Sequence, residues 1–252
     1  MKKIIFTFLL LFISFSLFSQ SEEIWDLHFQ FDVTTLSGFA SPSGVETDGE
    51  YFYVSNSLNN QIAKFDIAGT WIENFSIPNI PFGLNDLTTD GEYFYGGSGS
   101  TNTIFKMDFS SQSIVGSINS QIVVDAIAYD PNEDAFWVSN WQSDVLMLID
   151  RNGVLLNQLV FTDDAKGLTH DSYSAGEPYL WTYTGVYTGG DGIVTQYQLP
   201  GFSLTGLSHN VTEDFPGTHA GGLFCSNPIV PGVVILGGIA KGTTSYLNHL
   251  VG

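Results

Sequence analysis

Four oxygen-bearing side chains make the strongest case for chemistry in this sequence: Glu46, Asn85, Asp125 and Asn140. Carboxylate and amide oxygens are the ligands that a hard cation prefers, so calcium is the cofactor that we expect if the chain holds a metal. Asn and Asp are also common where their side chains accept hydrogen bonds from backbone N–H groups in turns. That second interpretation stays open, and no cofactor other than calcium is predicted.

The residue types that act as nucleophiles or paired metal ligands form no motif. The single cysteine, Cys225, follows the apolar stretch Gly222–Phe224 and is expected to be a buried, inert thiol. The chain has no Gly-x-Ser-x-Gly elbow, phosphate-binding loop or Cys-x-x-Cys pair. The five histidines are scattered along the sequence, at His28, His170, His209, His219 and His249. We therefore predict no catalytic residue and favour a binding module; the alternative is a calcium-dependent lactonase, esterase or lyase.

The segments that position these residues repeat along the chain. Similar segments end at Asp48, Asp90, Asp130 and Asp171, which are 42, 40 and 41 residues apart. A second set of aspartates, spaced by 42 and 42 residues, is Asp66, Asp108 and Asp150. Periods of about 40 to 50 residues are typical of β-propellers, in which each repeat is one blade. Two sets of markers in phase therefore predict a propeller.

Each repeat has the pattern of four strands, A to D. Asp48-Gly49 lies between two apolar runs, which predicts a type I′ turn between strand A (Val45–Thr47) and strand B (Tyr51–Ser55). Residues 61–67 alternate as a half-buried strand C should, and Trp71–Ile77 follows as strand D. No segment has a helical period, so we predict an all-β propeller of about five four-stranded blades, with six as the alternative. The predicted blades span residues 43–78, 83–118, 123–161 and 165–207, with the last starting at Ala220.

The two ends of the chain are expected to share one blade. After Ala220 the sequence supplies three strands, predicted at Leu223–Ser226, Val233–Gly237 and Tyr246–Val251. Near the N terminus, Trp25–Val33 has the sequence position of a strand D. One N-terminal strand would complete the last blade and close the ring, which removes an open sheet edge.

The N terminus indicates export. Lys2 and Lys3 precede the apolar run Ile4–Phe18, and small residues follow around Gln20; this is the layout of a secretory signal peptide. We expect residues 1–20 to be cleaved near Ser19–Ser21, and residues 21–252 to form one domain in the periplasm, at the cell surface or outside the cell. The apolar run is shorter than the roughly 20 residues of a spanning helix, so no membrane insertion is expected.

The charge of the chain excludes one class of partner. Without its first 20 residues the chain has five basic and 26 acidic side chains, a net charge of about −21. Such a surface repels the phosphates of nucleic acids and the headgroups of anionic lipids. We expect a monomeric domain that binds a protein, glycan or small molecule and no nucleic acid.

The repeated motifs are similar to those of a known group of proteins. Asp-Gly-Glu-Tyr-Phe-Tyr at 48–53 and 90–95, the segment 127–141 and Ala-Gly-Gly-Leu-Phe at 220–224 resemble secreted bacterial propellers of the YVTN/NHL-like, or quinoprotein-like, superfamily. Similar propellers occur in type IX-secreted proteins. The resemblance implies the propeller fold across residues 22–252 and implies no particular activity. Asn85 and Asp125 depart from it, since arginine is expected at these positions.

In a propeller, the D–A and B–C connections lie on one face around the axis, and that face usually hosts function. We predict that a ligand binds at this mouth. The residues predicted to line the mouth are Glu46, Asn56, Asn85, Asp86, Asp125, Asn140, Trp141, Asp164, Tyr187 and His219.

Overall fold

The computed structural model describes residues 24–176, 178–185, 191–242 and 248–252. Twenty strands in these ranges form five antiparallel four-stranded sheets, arranged around an axis as a β-propeller. The prediction of five blades is confirmed, and the six-blade alternative is wrong. In every blade, strand A lies next to the axis and strand D is outermost.

Blades 1 to 4 follow one another along the chain, each with its strands in the order A, B, C, D. Blade 1 comprises β2 (Pro42–Thr47), β3 (Tyr51–Asn56), β4 (Gln61–Asp66) and β5 (Trp71–Ser76). Blade 2 comprises β6 (Asp86–Thr89), β7 (Phe94–Gly97), β8 (Thr103–Asp108) and β9 (Ser113–Asn119). Blade 3 comprises β10 (Ala126–Asp130), β11 (Ala135–Asn140), β12 (Val145–Asp150) and β13 (Leu155–Val160). Blade 4 comprises β14 (Ala165–Asp171), β15 (Tyr179–Thr184), β16 (Ile193–Gln198) and β17 (Ser203–Asn210).

Blade 5 joins the two ends of the chain, as predicted. Its order from the axis outward is β18 (Thr218–Ser226), β19 (Ile235–Gly242), β20 (His249–Val251) and β1 (Gln30–Asp32). Strand β1 pairs antiparallel with β20, with Phe31 opposite Leu250. Phe31 also packs against the hydrophobic core between blades 5 and 1. The N-terminal strand therefore closes the ring by both hydrogen bonds and apolar contacts.

The predicted strand limits in blade 5 were inaccurate. Strand A begins at Thr218 instead of Leu223, and strand B runs from Ile235 to Gly242 instead of Val233–Gly237. The register between these strands shifts between Ala220 and Leu223, an irregularity that breaks the alternation used for prediction. Strand C is shorter than the predicted Tyr246–Val251, of which Tyr246 and Leu247 lie outside the described residues.

Two one-turn helices were not predicted, since a single turn is too short for a helical period. Helix α1 (Val33–Ser37) ends the closing strand, which is therefore shorter than the predicted Trp25–Val33. Asp32 caps this helix by accepting a hydrogen bond from the Thr35 N–H at 2.9 Å. Helix α2 (Val211–Asp214) follows blade 4 and is capped by Asn210. No helix in the described residues is long and apolar enough to cross a membrane.

The first set of repeated aspartates stabilises the A–B turns. In blade 1, Asp48 Oδ1 accepts hydrogen bonds from the N–H groups of Glu50 and Tyr51, and Oδ2 accepts one from the Tyr53 hydroxyl at 2.9 Å. Blades 2 to 4 repeat the aromatic hydrogen bond, with the pairs Asp90–Tyr95, Asp130–Trp137 and Asp171–Trp181. Only Gly49 has a positive φ in the first turn, so the predicted type I′ geometry, which needs two such residues, is wrong. A carboxylate holds the turn instead.

The second set of repeated aspartates does the same for the C–D turns. Asp66 Oδ1 accepts hydrogen bonds from the N–H groups of Ala68 and Thr70. Asp108 and Asp150 cap the corresponding turns of blades 2 and 3. The spacing of 42 residues in the sequence is therefore the spacing of equivalent capped turns.

Ring closure predicts a global effect of truncation. A chain that starts at residue 34 lacks β1, which leaves β20 as an open edge and uncovers apolar surface. We expect the melting temperature of the whole domain to fall by more than about 10 °C, which corresponds to roughly 3 kcal/mol or more for a domain of this size. Differential scanning calorimetry measures it, with a chain starting at residue 24 as the control. An unchanged melting temperature would show that closure by β1 is dispensable.

Candidate functional site

The axis of the propeller is blocked by one carboxylate. Asp86, the first residue of β6, is fully buried. Its Oδ2 accepts hydrogen bonds from the N–H of Ile127 in blade 3 at 3.0 Å and from the N–H of Leu168 in blade 4 at 3.1 Å. Burial raises the pKa of Asp86 well above its ordinary range, and these two N–H donors oppose that shift. Asp86 was predicted to line an open mouth; it instead joins three blades inside the ring.

The other four blades have small residues at the position equivalent to Asp86. Counting from the repeated turn motif, the equivalent residues of blades 1, 3 and 4 are Gly44, Ala126 and Gly167. In blade 5 the residue packed against Gly44 and Gly167 is Gly222. A Cβ on Gly44 would lie 2.6 Å from Asp86 Cα, and one on Gly222 would lie 2.5 Å from Asp86 Oδ1. The axis therefore has room for one side chain, and that side chain divides the central channel into two ends.

The mouth formed by the D–A and B–C connections contains a hydrogen-bonded cluster around Asp125. Its Oδ1 accepts a hydrogen bond from the Asn85 side chain at 2.9 Å. Its Oδ2 accepts one from the Trp141 N–H at 3.1 Å and one from the Asn140 side chain at 3.3 Å. Burial raises the pKa of Asp125, and the Trp141 N–H and nearby Lys166 lower it. Four of the predicted mouth residues are therefore together, with their polar atoms directed at one another.

Two lysines and a histidine occupy the other side of the mouth, in blades 4 and 5. Lys166 Nζ lies 2.7 Å from Asp164 Oδ1. Lys241 lies opposite His219 in the β18–β19 ladder, and its Nζ donates a hydrogen bond to Ser43 Oγ at 3.3 Å. Burial and Lys166 together lower the pKa of Lys241 to about 8. Burial, then the two lysines, lower the pKa of His219 to about 4, so its ring is neutral at pH 7.

Apolar side chains are exposed on the same face. Leu58, Phe82 and Trp141 belong to the B–C loop of blade 1, the D–A connection of blade 2 and the B–C loop of blade 3, and each is more than half exposed. The backbone at Gly83 packs directly against Asn56 and Ser57, which brings the first two of these loops together. The face thus has an apolar side on blades 1 to 3 and a lysine-containing side on blades 4 and 5.

Asn56 and Asn140 also have a structural role. Asn56 Oδ1 accepts a hydrogen bond from the Leu58 N–H at 3.1 Å, and Asn140 Oδ1 accepts one from the Gln142 N–H at 2.8 Å. These are the turn contacts that the alternative interpretation of the sequence expected for Asn and Asp. Tyr187 lies outside the described residues.

Glu46 is not at this mouth. It lies four residues after the start of β2, opposite Tyr53 and close to the A–B turn. It lines a cavity of about 320 Å³ at the other end of the channel, together with residues from the A–B turns of all five blades. Burial raises the pKa of Glu46 to about 8, although the Thr47 N–H donates to its Oε1 at 2.8 Å. The set of calcium ligands predicted from Glu46, Asn85, Asp125 and Asn140 is therefore split between two ends.

The structure adds no metal site to replace that set. Within the described ranges, no group of three or more His, Cys, Asp or Glu side chains is arranged to hold a metal ion. Calcium binding stays a prediction of the sequence. Burial raises the pKa of the Cys225 thiol well above its ordinary range, which disfavours the reactive thiolate.

Lys166 and Lys241 are the mouth residues that sequence reasoning missed. They are 75 residues apart in the chain and belong to no motif. A signal was nevertheless present, because only five basic residues follow residue 20 and two of them fall in predicted mouth connections. Because basic residues are so few, the presence of Lys166 and Lys241 in these connections could have pointed to a role at the mouth.

Comparisons with known proteins found solved structures that are similar at low sequence identity. The hydrazine synthase of Kuenenia stuttgartiensis is similar with a TM-score of 0.50 and 11% identity, over 87% of this chain and 60% of that chain. The Neurospora crassa Pan2 WD40 domain has a TM-score of 0.45 and 15% identity, over 68% and 50%. A chain of a mitotic checkpoint complex has a TM-score of 0.48 and 13% identity, over 79% and 57%. No protein-family model and no curated protein matches the sequence.

The structural similarity is limited to architecture. This chain spans about half to three fifths of the length of the three solved chains. At 11% identity, the similarity to the hydrazine synthase concerns the fold alone and says nothing about activity. Function therefore has to be inferred from the residues of the mouth.

Glu46 predicts a specific dependence of stability on pH. The folded state keeps the Glu46 proton up to about pH 8, whereas the unfolded state loses it near the ordinary pKa of 4.5. Folding therefore binds a proton between these values, and the free energy of unfolding falls as pH rises through this window. We expect Glu46→Gln to flatten this fall and to be more stable than the unchanged protein above about pH 8, by roughly 2–4 kcal/mol.

Denaturant unfolding at intervals from about pH 5 to pH 9 measures the difference. Glu50→Gln is the matched control, because Glu50 is exposed in the same hairpin. Parallel pH profiles for Glu46→Gln and the unchanged protein would contradict the raised pKa of Glu46.

Proposed function

We propose that this chain is an interaction module that binds a segment of a partner protein at the mouth. The segment carries a carboxylate, which contacts the two lysines, and a neighbouring apolar side chain, which contacts the exposed rim. The signal-peptide pattern that the sequence predicts for residues 1–20 supports an extracytoplasmic setting for this role. The mouth lies on loops held by a rigid scaffold, the usual location of binding residues.

Lys241 is the observation that carries the proposal. Its ammonium group is partly buried, and among the described residues no carboxylate lies within ion-pair distance of it. A desolvated charge with only a hydroxyl partner is unfavourable. A carboxylate supplied by a ligand would offset that cost and would be attracted further by Lys166. Arg151, by contrast, is already paired with Asp90 and Asp134.

The exposed apolar side chains favour a protein segment over other anionic ligands. Leu58, Phe82 and Trp141 surround the same face, and an aromatic anchor beside a charged contact is typical of protein-binding hot spots. Free acids and acidic sugars offer a carboxylate without an apolar group to cover these residues. A peptide segment offers both within a few residues.

Peptide selection tests the proposal and requires no identified partner. A library of random heptapeptides displayed on phage is selected against the folded domain, and enriched sequences are synthesised for calorimetry. We expect enriched peptides to combine Asp or Glu with an aromatic or large aliphatic residue. Lys166→Gln and Lys241→Met should each weaken binding by about tenfold, or roughly 1.4 kcal/mol, and affinity should fall as salt is raised.

Lys64→Gln and Lys106→Gln are the matched controls. Both lysines lie on strand C of their blades, over the rings of Tyr51 and Tyr93, away from the mouth. They remove the same charge, so they should leave peptide affinity unchanged. The proposal fails if no peptide is enriched, or if the control variants weaken binding as much as the mouth variants.

A further inference from the structure

A second candidate site lies between blades 4 and 5, on the side of the A–B turns. It is a cavity of about 620 Å³, a volume typical of small-molecule sites. Trp181 and Gln196 of blade 4 line it, together with Trp25 of the N-terminal segment. Ser174 and Gly232, which also line it, belong to the A–B connections of blades 4 and 5. The cavity is therefore away from the mouth, and we call it the lateral cavity.

The lateral cavity lies at the interface that apolar side chains fill least. Among the described residues, the hydrophobic cluster between blades 4 and 5 has five buried members. The clusters at the other four interfaces have between eight and twelve. Because equivalent interfaces in one ring perform the same packing task, the smaller cluster beside a cavity indicates space for a ligand.

Gln196 gives the lateral cavity a specific polar requirement. It lies two residues after Val194, a buried member of the cluster between blades 4 and 5, so both side chains face that interface. Only 6% of Gln196 is exposed, yet its side-chain amide makes no hydrogen bond with any described residue. The polar atoms that are both fully enclosed and unpartnered belong to other side chains. The Gln196 amide therefore has access to the open space of the cavity that it lines.

The equivalent side chains of blades 1 to 3 all have partners within the protein. Gln196 lies opposite Trp181 in the ladder between strands B and C, and the corresponding residues are Lys64, Lys106 and Leu148. Lys64 and Lys106 lie over tyrosine rings, at 3.6 and 3.8 Å from the ring centroids. Leu148 belongs to the hydrophobic cluster between blades 3 and 4. An unpaired amide at this depth is unfavourable, and a ligand in the cavity would supply the partner.

The chemistry of Gln196 indicates what that partner is. A glutamine side chain presents an acceptor oxygen and a donor nitrogen side by side. A carboxamide on a ligand presents the same two groups in the same plane, so it can pair with Gln196 through two parallel hydrogen bonds. A ketone or an ether would satisfy only the donor.

The wall of the lateral cavity suits an uncharged ring system. Trp25 and Trp181 line it together with the aliphatic side chains of Leu207 and Val233, and aromatic rings favour stacked or edge contacts with a flat apolar group. The carboxylate of Asp171 also lines the cavity. A carboxylate in a partly buried wall disfavours an anionic ligand.

From these features we propose that the lateral cavity binds a small, uncharged molecule whose carboxamide group pairs with the Gln196 side chain and whose apolar ring lies against the aromatic wall. The site uses none of the mouth residues. Its test is therefore independent of the test of the proposed protein-binding function.

Three probes of nearly the same shape test this proposal. Benzamide has both the donor and the acceptor, acetophenone has only the acceptor, and benzoate is an anion at pH 7. We expect benzamide to bind about tenfold more tightly than acetophenone, the difference that one hydrogen bond makes, and benzoate to bind more weakly than both. Titration followed by NMR measures the affinities, and intermolecular NOEs to the methyl groups of Leu207 and Val233 locate the ligand.

Gln196→Met should remove the preference for benzamide. Methionine has a similar length and no amide, so benzamide and acetophenone should bind this variant with equal affinity. Gln158→Met is the matched control, because Gln158 is exposed on the outermost strand of blade 3. In the control variant, the tenfold preference for benzamide should persist.

Four outcomes would overturn the proposal. They are no binding of benzamide, equal affinity of benzamide and acetophenone for the unchanged protein, benzoate binding as tightly as benzamide, and NOEs to residues outside the lateral cavity. The comparison of probes on the unchanged protein is decisive by itself, so the test does not depend on the folding of a variant.

Discussion

The Asp86 carboxylate at the propeller axis is the contact on which the arrangement of the ring depends. It accepts backbone hydrogen bonds from the innermost strands of blades 3 and 4 while its own strand belongs to blade 2. The equivalent residues of the other blades are glycine or alanine, which leaves room for this one side chain. A buried polar group that is used in this way couples strands that are distant in sequence. Five similar repeats are thus joined by one residue that breaks their symmetry.

Closing the axis separates two environments at opposite ends of the central channel. On one side, Asp125, Lys166, Lys241 and His219 form a mouth of mixed charge. On the other side, Glu46 lies in a cavity among the A–B turns, where burial favours its protonated form. Part of the acidity of the chain has a structural origin, because the seven repeated aspartates cap the A–B and C–D turns. The lysines of the mouth are therefore distinctive against a background of turn-capping carboxylates.

Most of the fold followed from the sequence, because the repeat places equivalent residues in equivalent strands. Ring closure near Phe31 also followed, since a missing strand in the last blade had one candidate. The limits of blade 5 did not, because its strands lack an Asp-Gly turn and shift register at Ala220. Glu46 was placed at the wrong end of its strand, although it comes two residues before the turn aspartate, a position that indicates the turn end. Lys166 and Lys241 meet only through the closure of the ring, which sequence spacing does not record.

The free energy of unfolding of Asp86→Ala, measured by guanidinium denaturation beside Asp86→Asn, tests the central claim most directly. Alanine leaves the Ile127 and Leu168 N–H groups without their acceptor inside the ring. We predict that it destabilises the protein by at least about 3 kcal/mol. Asparagine keeps one oxygen that can accept both hydrogen bonds, so its cost should be less than about half of that. An alanine variant as stable as the unchanged protein, or more stable, would contradict the view that Asp86 holds the blades together.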